Sequence, residues 1–227
     1  MTALLEARAL CCGYGADAVV RDVDLHVERG EIVALLGANG AGKTTTLRTL
    51  SGELPAQGGT VLLDGVEATG PLHRRARSGL SIVPEERNVV MTMTVRDNLR
   101  VSRCDADRAL DLFPELADHV GRTVGLLSGG QQQMLALAIA LARRTTLLLA
   151  DELSLGLAPQ LVDRLLATIR ECARDGVGVL LVEQHVHKAM DVADRAYVMQ
   201  RGRIELAGTT ADLRGRLSDI QASYISA

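Results

Sequence analysis

The octapeptide Gly37-Ala38-Asn39-Gly40-Ala41-Gly42-Lys43-Thr44 limits what this chain can become more than any other segment. It fits G-x-x-x-x-G-K-[ST] and follows the apolar run Ile32-Val33-Ala34-Leu35-Leu36, the short buried strand that such a loop needs before it. Glycines at 37, 40 and 42 let the backbone turn tightly, so that successive N–H groups point into one concavity that suits phosphate oxygens. A helical pattern begins at Lys43 and adds the positive end of its dipole to the same place. Lys43 is placed to reach the β- and γ-phosphates, and the Thr44 hydroxyl to take one position on Mg²⁺. Ala41 and Thr45 complete the cradle, which predicts a nucleoside triphosphate as ligand.

Around this loop the pattern alternates between strand and helix. Residues 4–29 read as β-rich, with period-two alternation on either side of Gly13-Tyr14-Gly15. A helix is expected after the loop, stopped by Gly52 and Pro55, then a short strand at residues 58–65 and another at 81–85. Residues 94–116 are helical and more polar, with Pro114 interrupting. A helix with one broad apolar face follows at residues 127–144, then the run Leu147-Leu148-Leu149-Ala150 as a central strand. Pro159 opens the next helix, which runs to residue 173. Residues 177–182 form a further buried strand, followed by a helix to about residue 193. A hairpin spans residues 196–206, and a last helix lies near residues 211–225. Strands alternating with helices imply an α/β fold with a mixed central sheet, an antiparallel β subdomain and a helical subdomain. The boundaries read as residues 1–84 and 145–227 for the core, with about 85–144 as the helical part.

Composition narrows the function classes. The net charge is -3, and the aromatic residues are one Phe and three Tyr, so neither a basic face nor stacking platforms point to nucleic acid. The basic cluster Arg74-Arg75-Ala76-Arg77 reads as a solvated helix face. Cys11, Cys12, Cys104 and Cys172 have no metal-ligand spacing and read as thiols in a reducing compartment. Residues 123–142 carry no charge, but Ser128-Gly129-Gly130-Gln131-Gln132-Gln133 leaves an apolar stretch too short to span a bilayer. The chain therefore reads as cytoplasmic, without a signal peptide.

Two further motifs carry chemistry. Asp151-Glu152 follow the apolar strand at 147–150, where ligands of open α/β sheets bind. Asp151 is suited to hold Mg²⁺ directly or through water, and Glu152 to orient or deprotonate an attacking water. Leu127-Ser128-Gly129-Gly130-Gln131 is a second glycine-rich helix start, offering N–H groups, a hydroxyl and a dipole to a second phosphate. One nucleotide cannot use two cradles unless the second comes from a partner chain. In this order the motifs resemble the ATP-binding cassette (ABC) ATPases, a P-loop NTPase family, over essentially the whole chain. The resemblance implies ATP and Mg²⁺ as ligands, and a head-to-tail sandwich that joins Lys43 of one subunit to Ser128, Gly129, Gly130 and Gln131 of the other. It also implies that Tyr14 stacks on adenine, that Asn39 lies along the phosphates, and that hydrolysis drives membrane permease subunits docked near the helical subdomain.

Departures from the general family pattern point to a subfamily. Pro84-Glu85 stand where most members have Gln, so Glu85 becomes a third candidate metal ligand. Gln184 stands where the switch histidine is expected and is the favoured switch; His185, one place later, is the alternative, and otherwise it and His187 read as surface residues. With Ser154-Leu155-Gly156-Leu157-Ala158-Pro159 and Val182-Glu183-Gln184, these substitutions look like the LivF-type ATPases of branched-chain amino-acid importers and their urea/amide relatives. Leu153 departs even from these, as does Asn88-Val89-Val90-Met91. The resemblance implies catalytic roles for Glu152, Lys43 and Gln184. It also implies a second ATPase subunit, either a sister chain or a second copy of this one, permease subunits, an extracytoplasmic solute-binding protein acting indirectly, and a location on the inner face of the membrane. Three rivals are a P-loop kinase or GTPase, an ATPase acting on DNA or ribosomes, and an ATP-dependent assembly or regulatory module with little or no hydrolysis. The first is disfavoured by Leu127 to Gln131 and by the absence of a guanine-reading N-K-x-D. The second is disfavoured by the absence of a coiled-coil insertion or a second cassette.

Overall fold

Strand β3 (Ile32–Leu36) is buried along its whole length, as an uninterrupted apolar run should be when both faces of its sheet are covered. The structure, a computed structural model, describes residues 3–216. Beside β3 lie β8 (Gly178–Glu183), then β7 (Leu147–Asp151) and β6 (Leu80–Val83). On its other side lie β9 (Arg195–Gln200) and β10 (Arg203–Thr209). The pairs from β6 to β9 are parallel, and only β10 runs antiparallel, closing a hairpin on β9.

A second, antiparallel sheet has the order β2-β1-β4-β5, built from β1 (Leu5–Tyr14), β2 (Asp17–Val27), β4 (Gly58–Leu63) and β5 (Val66–Glu67). Helix α1 (Lys43–Ser51) lies between the two sheets. Its Leu47 and Leu50 pack with Leu25 and Val27 of the small sheet, and with Val33, Leu35, Leu180 and Val182 of the large one. The alternate residues Ile32, Ala34 and Leu36 face the opposite way, into a second core shared with α5 (Gly129–Leu141), α6 (Pro159–Arg174) and α7 (Val186–Val192). Period-two alternation thus buries both faces of β3 in different cores.

Residues 94–116 resolve into α3 (Val95–Ser102), α4 (Ala106–Leu112) and a 3₁₀ turn at Pro114–His119. Pro114 opens that turn, since proline lacks the N–H that would continue α4. A second 3₁₀ turn, Val124–Leu126, leads into α5. The strand expected at 81–85 ends at Val83, because Pro84 cannot donate to a sheet ladder. The last helix is described only as α8 (Thr210–Arg214), and the remainder of the expected span, to residue 225, lies outside the described residues.

Two expectations are corrected. Helix α5 has no single apolar face: every residue from 132 to 141 is buried, including Gln132 and Gln133. Such a helix belongs inside a core, and its two buried amides are satisfied. Gln132 Nε2 donates to the carbonyls of Val124 and Leu127, at 3.1 and 3.2 Å, and Gln133 Oε1 accepts from Arg87 at 3.2 Å. Nor does α2 (Leu72–Arg77) present a wholly solvated basic face, because Arg75 is buried. Its guanidinium donates to the carbonyls of Thr49 (2.9 Å), Leu50 (2.6 Å), Ala68 (2.6 Å) and Gly70 (2.9 Å). A cation thereby joins the Gly52 N–H in closing the negative C-terminal end of α1, where helix geometry leaves carbonyls short of donors. Among the described residues, no helix is long and apolar enough to cross a membrane.

Candidate active site

Strand β3 delivers the chain to Gly37 at the C-terminal edge of the large sheet, and α1 begins six residues later. Gly42, the residue before α1, has φ of 105°, a conformation open to glycine at little cost. No side chain caps this helix and no acid occupies its first turn, so its leading N–H groups remain for a ligand. Lys43 is 5% exposed, and its Nζ folds back to donate to the carbonyls of Gly37 (2.8 Å) and Ala38 (3.1 Å). The same ammonium lies 3.6 Å from a carboxylate oxygen of Glu152. The loop thus holds a cation against its own carbonyls and one acid, and phosphate oxygens are stronger partners for it.

The acid arrives from β7. Asp151 ends that strand and pairs with Val182 of β8. Glu152 then takes a left-handed conformation, with φ of 45°, while its N–H still donates to the Val182 carbonyl at 2.9 Å. The bend lifts the chain out of the sheet and turns the Glu152 side chain toward Lys43. A left-handed glutamate is costly by roughly 1 kcal/mol or more, and such residues gather at functional sites. Asp151 stays below, 2% exposed, with Oδ1 buried and lacking any hydrogen-bond partner among the described residues. Burial pushes its carboxyl up to about 6; the Thr44 hydroxyl and Lys43 pull it down, while Glu152 and Glu85 push it further up.

A buried oxygen without a partner, beside a threonine hydroxyl and a second carboxylate, is the hard donor set that Mg²⁺ prefers. Among the described residues, no three His, Cys, Asp or Glu side chains cluster tightly enough to hold a metal. An ion here would therefore complete its shell with phosphate oxygens and water, as Mg²⁺ commonly does.

Above these groups lies an open cleft of about 430 Å³, within the range of small-ligand sites. Asn39, Gly40, Gly42, Lys43, Thr44 and Thr45 line one side. Glu85, Glu152 and Gln184 line the other, and Tyr14, 53% exposed, stands at the mouth. The fold thus gathers them from well-separated parts of the chain. Gly37 and Ala41 are buried behind the loop and shape it without lining the cleft. His185 and His187 are exposed and outside it, whereas Gln184 is inside.

Ser128 to Gln131 do not line the cleft. Ser128 and Gln131 are engaged in a capping box: Gln131 N donates to Ser128 Oγ (3.3 Å), and Ser128 N to Gln131 Oε1 (2.9 Å). The amides of Gly129 and Gly130 are what helix geometry leaves for an outside acceptor. Gly130 is fixed by packing, since a Cβ there would sit 1.9 Å from Leu161 Cδ2 on α6.

Two connections escaped the reading of the sequence. Arg87 donates from Nη1 to Gln132 (2.9 Å) and from Nε to Gln133 (3.2 Å), tying the loop that carries Glu85 to the start of α5. Glu183, at the end of β8, accepts two hydrogen bonds from Ser154, just past Glu152. The signal for Glu183 was a carboxylate ending a strand whose other residues are all apolar or glycine; its partner, 29 residues away, left none.

Comparison with known proteins gives the family and the fold. The sequence family described as ABC transporter matches residues 20–154. The branched-chain amino-acid transport ATP-binding protein BraG of Pseudomonas aeruginosa is 42% identical over 88% of this chain and 90% of its own length. A probable LivF of Archaeoglobus fulgidus is 35% identical over 92% and 94% of the two chains, and the lipopolysaccharide export system ATP-binding protein LptB of Escherichia coli 34% over 93% and 92%. The structure of an ATP-binding subunit of an ABC transporter superposes with a TM-score of 0.84 at 26% identity, covering 98% of this chain and 99% of that one. An ABC cassette crystallised in its ADP conformation superposes with a TM-score of 0.90 at 22% identity, over 100% of both chains.

Proposed function

The chain belongs to the ABC transporter family, and on that premise we propose that it is the ATP-hydrolysing subunit of an importer for branched-chain or other hydrophobic amino acids. The observation that carries this reading is the convergence of Lys43, Glu85, Glu152 and Gln184 on one cleft, with Tyr14 at its mouth and Asp151 beneath. Higher identity to BraG than to LptB favours the amino-acid substrate over a lipid one.

In this reading Tyr14 stacks on adenine, and the Asn39-to-Thr45 backbone donates to the phosphates. Lys43 leaves the Gly37 and Ala38 carbonyls for the β- and γ-phosphate oxygens. Thr44, Asp151 and Glu85 would hold Mg²⁺, which would supply positive charge against the phosphates. Glu152 accepts a proton from water as the water oxygen bonds to the γ-phosphorus, and the bond from that phosphorus to the β–γ bridging oxygen breaks. Gln184 donates its amide to a γ-phosphate oxygen; it brings no positive charge to the site.

Because Ser128 to Gln131 lie outside this cleft, the Gly129 and Gly130 amides act on nucleotide held by a sister ATPase. Residues 85–144 form the helical subdomain that docks permease subunits at the inner face of the cell membrane, with an extracytoplasmic solute-binding protein acting through them. The test is steady-state hydrolysis by the full chain, alone and with its sister ATPase, beside Glu152→Gln. Loss of general-base catalysis lowers kcat by about 10²–10⁴-fold while ATP binding persists. Tight ATP binding with no turnover in any combination would favour an assembly or regulatory module instead.

A further inference from the structure

Glu183 is 3% exposed and forms no ion pair among the described residues. An isolated carboxylate is expensive to bury, and burial raises its proton affinity, so the fold keeps it against a solvation penalty. Among the described residues its hydrogen bonds come from one: Ser154 N donates to Oε1 at 3.1 Å, and Ser154 Oγ to Oε2 at 2.7 Å. This bidentate grip on a single serine looks two ways. Along the chain, Glu183 precedes Gln184. Across the sheet, it pairs with Leu36, the last residue before the phosphate loop, and Val182 pairs with Asp151. Ser154 lies in the tight turn that begins at the left-handed Glu152, where Leu155 N donates to the Glu152 carbonyl at 3.1 Å. Leu155 in turn lines the cleft.

We infer that Glu183 is a positioning residue: gripping Ser154, it fixes the turn from Glu152 to Leu155 in register with Gln184, so that the acid and the amide of the cleft are held by one staple. This rests on the ATPase reading above and adds a residue that touches neither nucleotide nor metal. The Glu152 conformation is strained, and the other contacts on the turn are the Val182 carbonyl on its first N–H, the bonds of Leu155 N to Glu152 O and Leu157 N to Ser154 O within it, the Lys43 ammonium and buried Leu153; Glu183 supplies its side-chain anchor to the next strand. Without the staple, Glu152 is free to relax from its place beside Lys43. A displacement of about 1 Å at a reacting group lowers rate by roughly a hundredfold and leaves binding through the phosphate loop intact.

The experiment compares wild type, Glu183→Gln, Ser154→Ala and Ser154→Thr as full-length chains, with the sister ATPase wherever wild type requires it. A glutamine keeps an acceptor for one Ser154 donor but meets the other with an N–H, so the Ser154 hydroxyl must turn to accept and both bonds lose the carboxylate's charge. The expected kcat falls roughly 10–100-fold for Glu183→Gln and several-fold for Ser154→Ala, with KM for ATP within about twofold; Ser154→Thr, which restores the hydroxyl, recovers part of the loss. In parallel, amide hydrogen exchange across residues 152–158 speeds up by about tenfold or more in Glu183→Gln without nucleotide. Unchanged kcat, an equal loss of turnover and ATP affinity, or unchanged exchange would overturn the staple. A wild-type protein without turnover in any combination would count against the ATPase reading instead, and the exchange measurement would then decide the staple alone.

Discussion

Replacing Asp151 with asparagine tests the energetic core of the site without reference to turnover. A carboxyl whose ordinary value near 3.8 is pushed up to about 6 by burial binds its proton more tightly in the folded protein than in the unfolded chain. Its contribution to stability is therefore full below the unfolded value and is lost as pH rises through the folded one. The whole window amounts to about 3 kcal/mol, of which roughly 1.4 kcal/mol separates pH 8 from pH 5. The asparagine of Asp151→Asn cannot titrate; its extra buried N–H costs about 1 kcal/mol at every pH and drops out of the comparison. For a chain of 227 residues, 1 kcal/mol moves Tm by about 2–4 °C.

Thermal unfolding of the nucleotide-free protein is thus expected to show a wild-type-minus-variant Tm difference that is about 3–6 °C larger at pH 5 than at pH 8. Mg²⁺ and ATP should then raise the Tm of wild type more at pH 8 than at pH 5, because ionised Asp151 is the form that an ion relieves, and should raise the variant less. A Tm difference that is flat in pH, or larger at pH 8, would refute the account of Asp151 as a buried acid waiting for a cation.

Three other perturbations concern single side chains. Arg75→Ala strips donors from four carbonyls, two of them at the end of α1; urea unfolding should record a loss of about 2–4 kcal/mol, only partly recovered by Arg75→Lys, which cannot span all four acceptors. Gly130→Ala places a methyl 1.9 Å from Leu161 Cδ2 and is expected to destabilise by about 1–3 kcal/mol; pairing it with Leu161→Ala should cost less than the two single changes together, as a double-mutant cycle in urea would show. Tyr14→Ala should weaken ATP binding by about tenfold through lost stacking, measured by calorimetry, with kcat at saturating ATP little altered.

Much of the cleft was legible in the sequence because its parts are written locally. Glycines that permit a turn, the apolar runs that make β3 and β7, and the acids at the end of β7 each obey rules of backbone sterics and burial that act over a few residues. That a histidine is expected at Gln184 came from the family resemblance and not from local rules; in the fold Gln184 lines the cleft and His185 does not. The antiparallel sheet and the terminal hairpin followed from period-two alternation and turn glycines.

What the tertiary structure decided are contacts between distant residues. Arg75 looked like one of several surface arginines, yet it closes the end of α1 some 25 residues away, because the fold brings α2 against those carbonyls. Helix α5 looked amphipathic by its apolar residues, but Arg87 and the Val124 and Leu127 carbonyls satisfy its glutamines and let it be buried all round. The grip of Glu183 on Ser154 exists only because β7 and β8 are neighbours in the sheet. Local propensity and patterning determine which chemistry the chain carries; packing decides which buried polar group meets which partner, since those pairings depend on distances that no spacing in the sequence encodes.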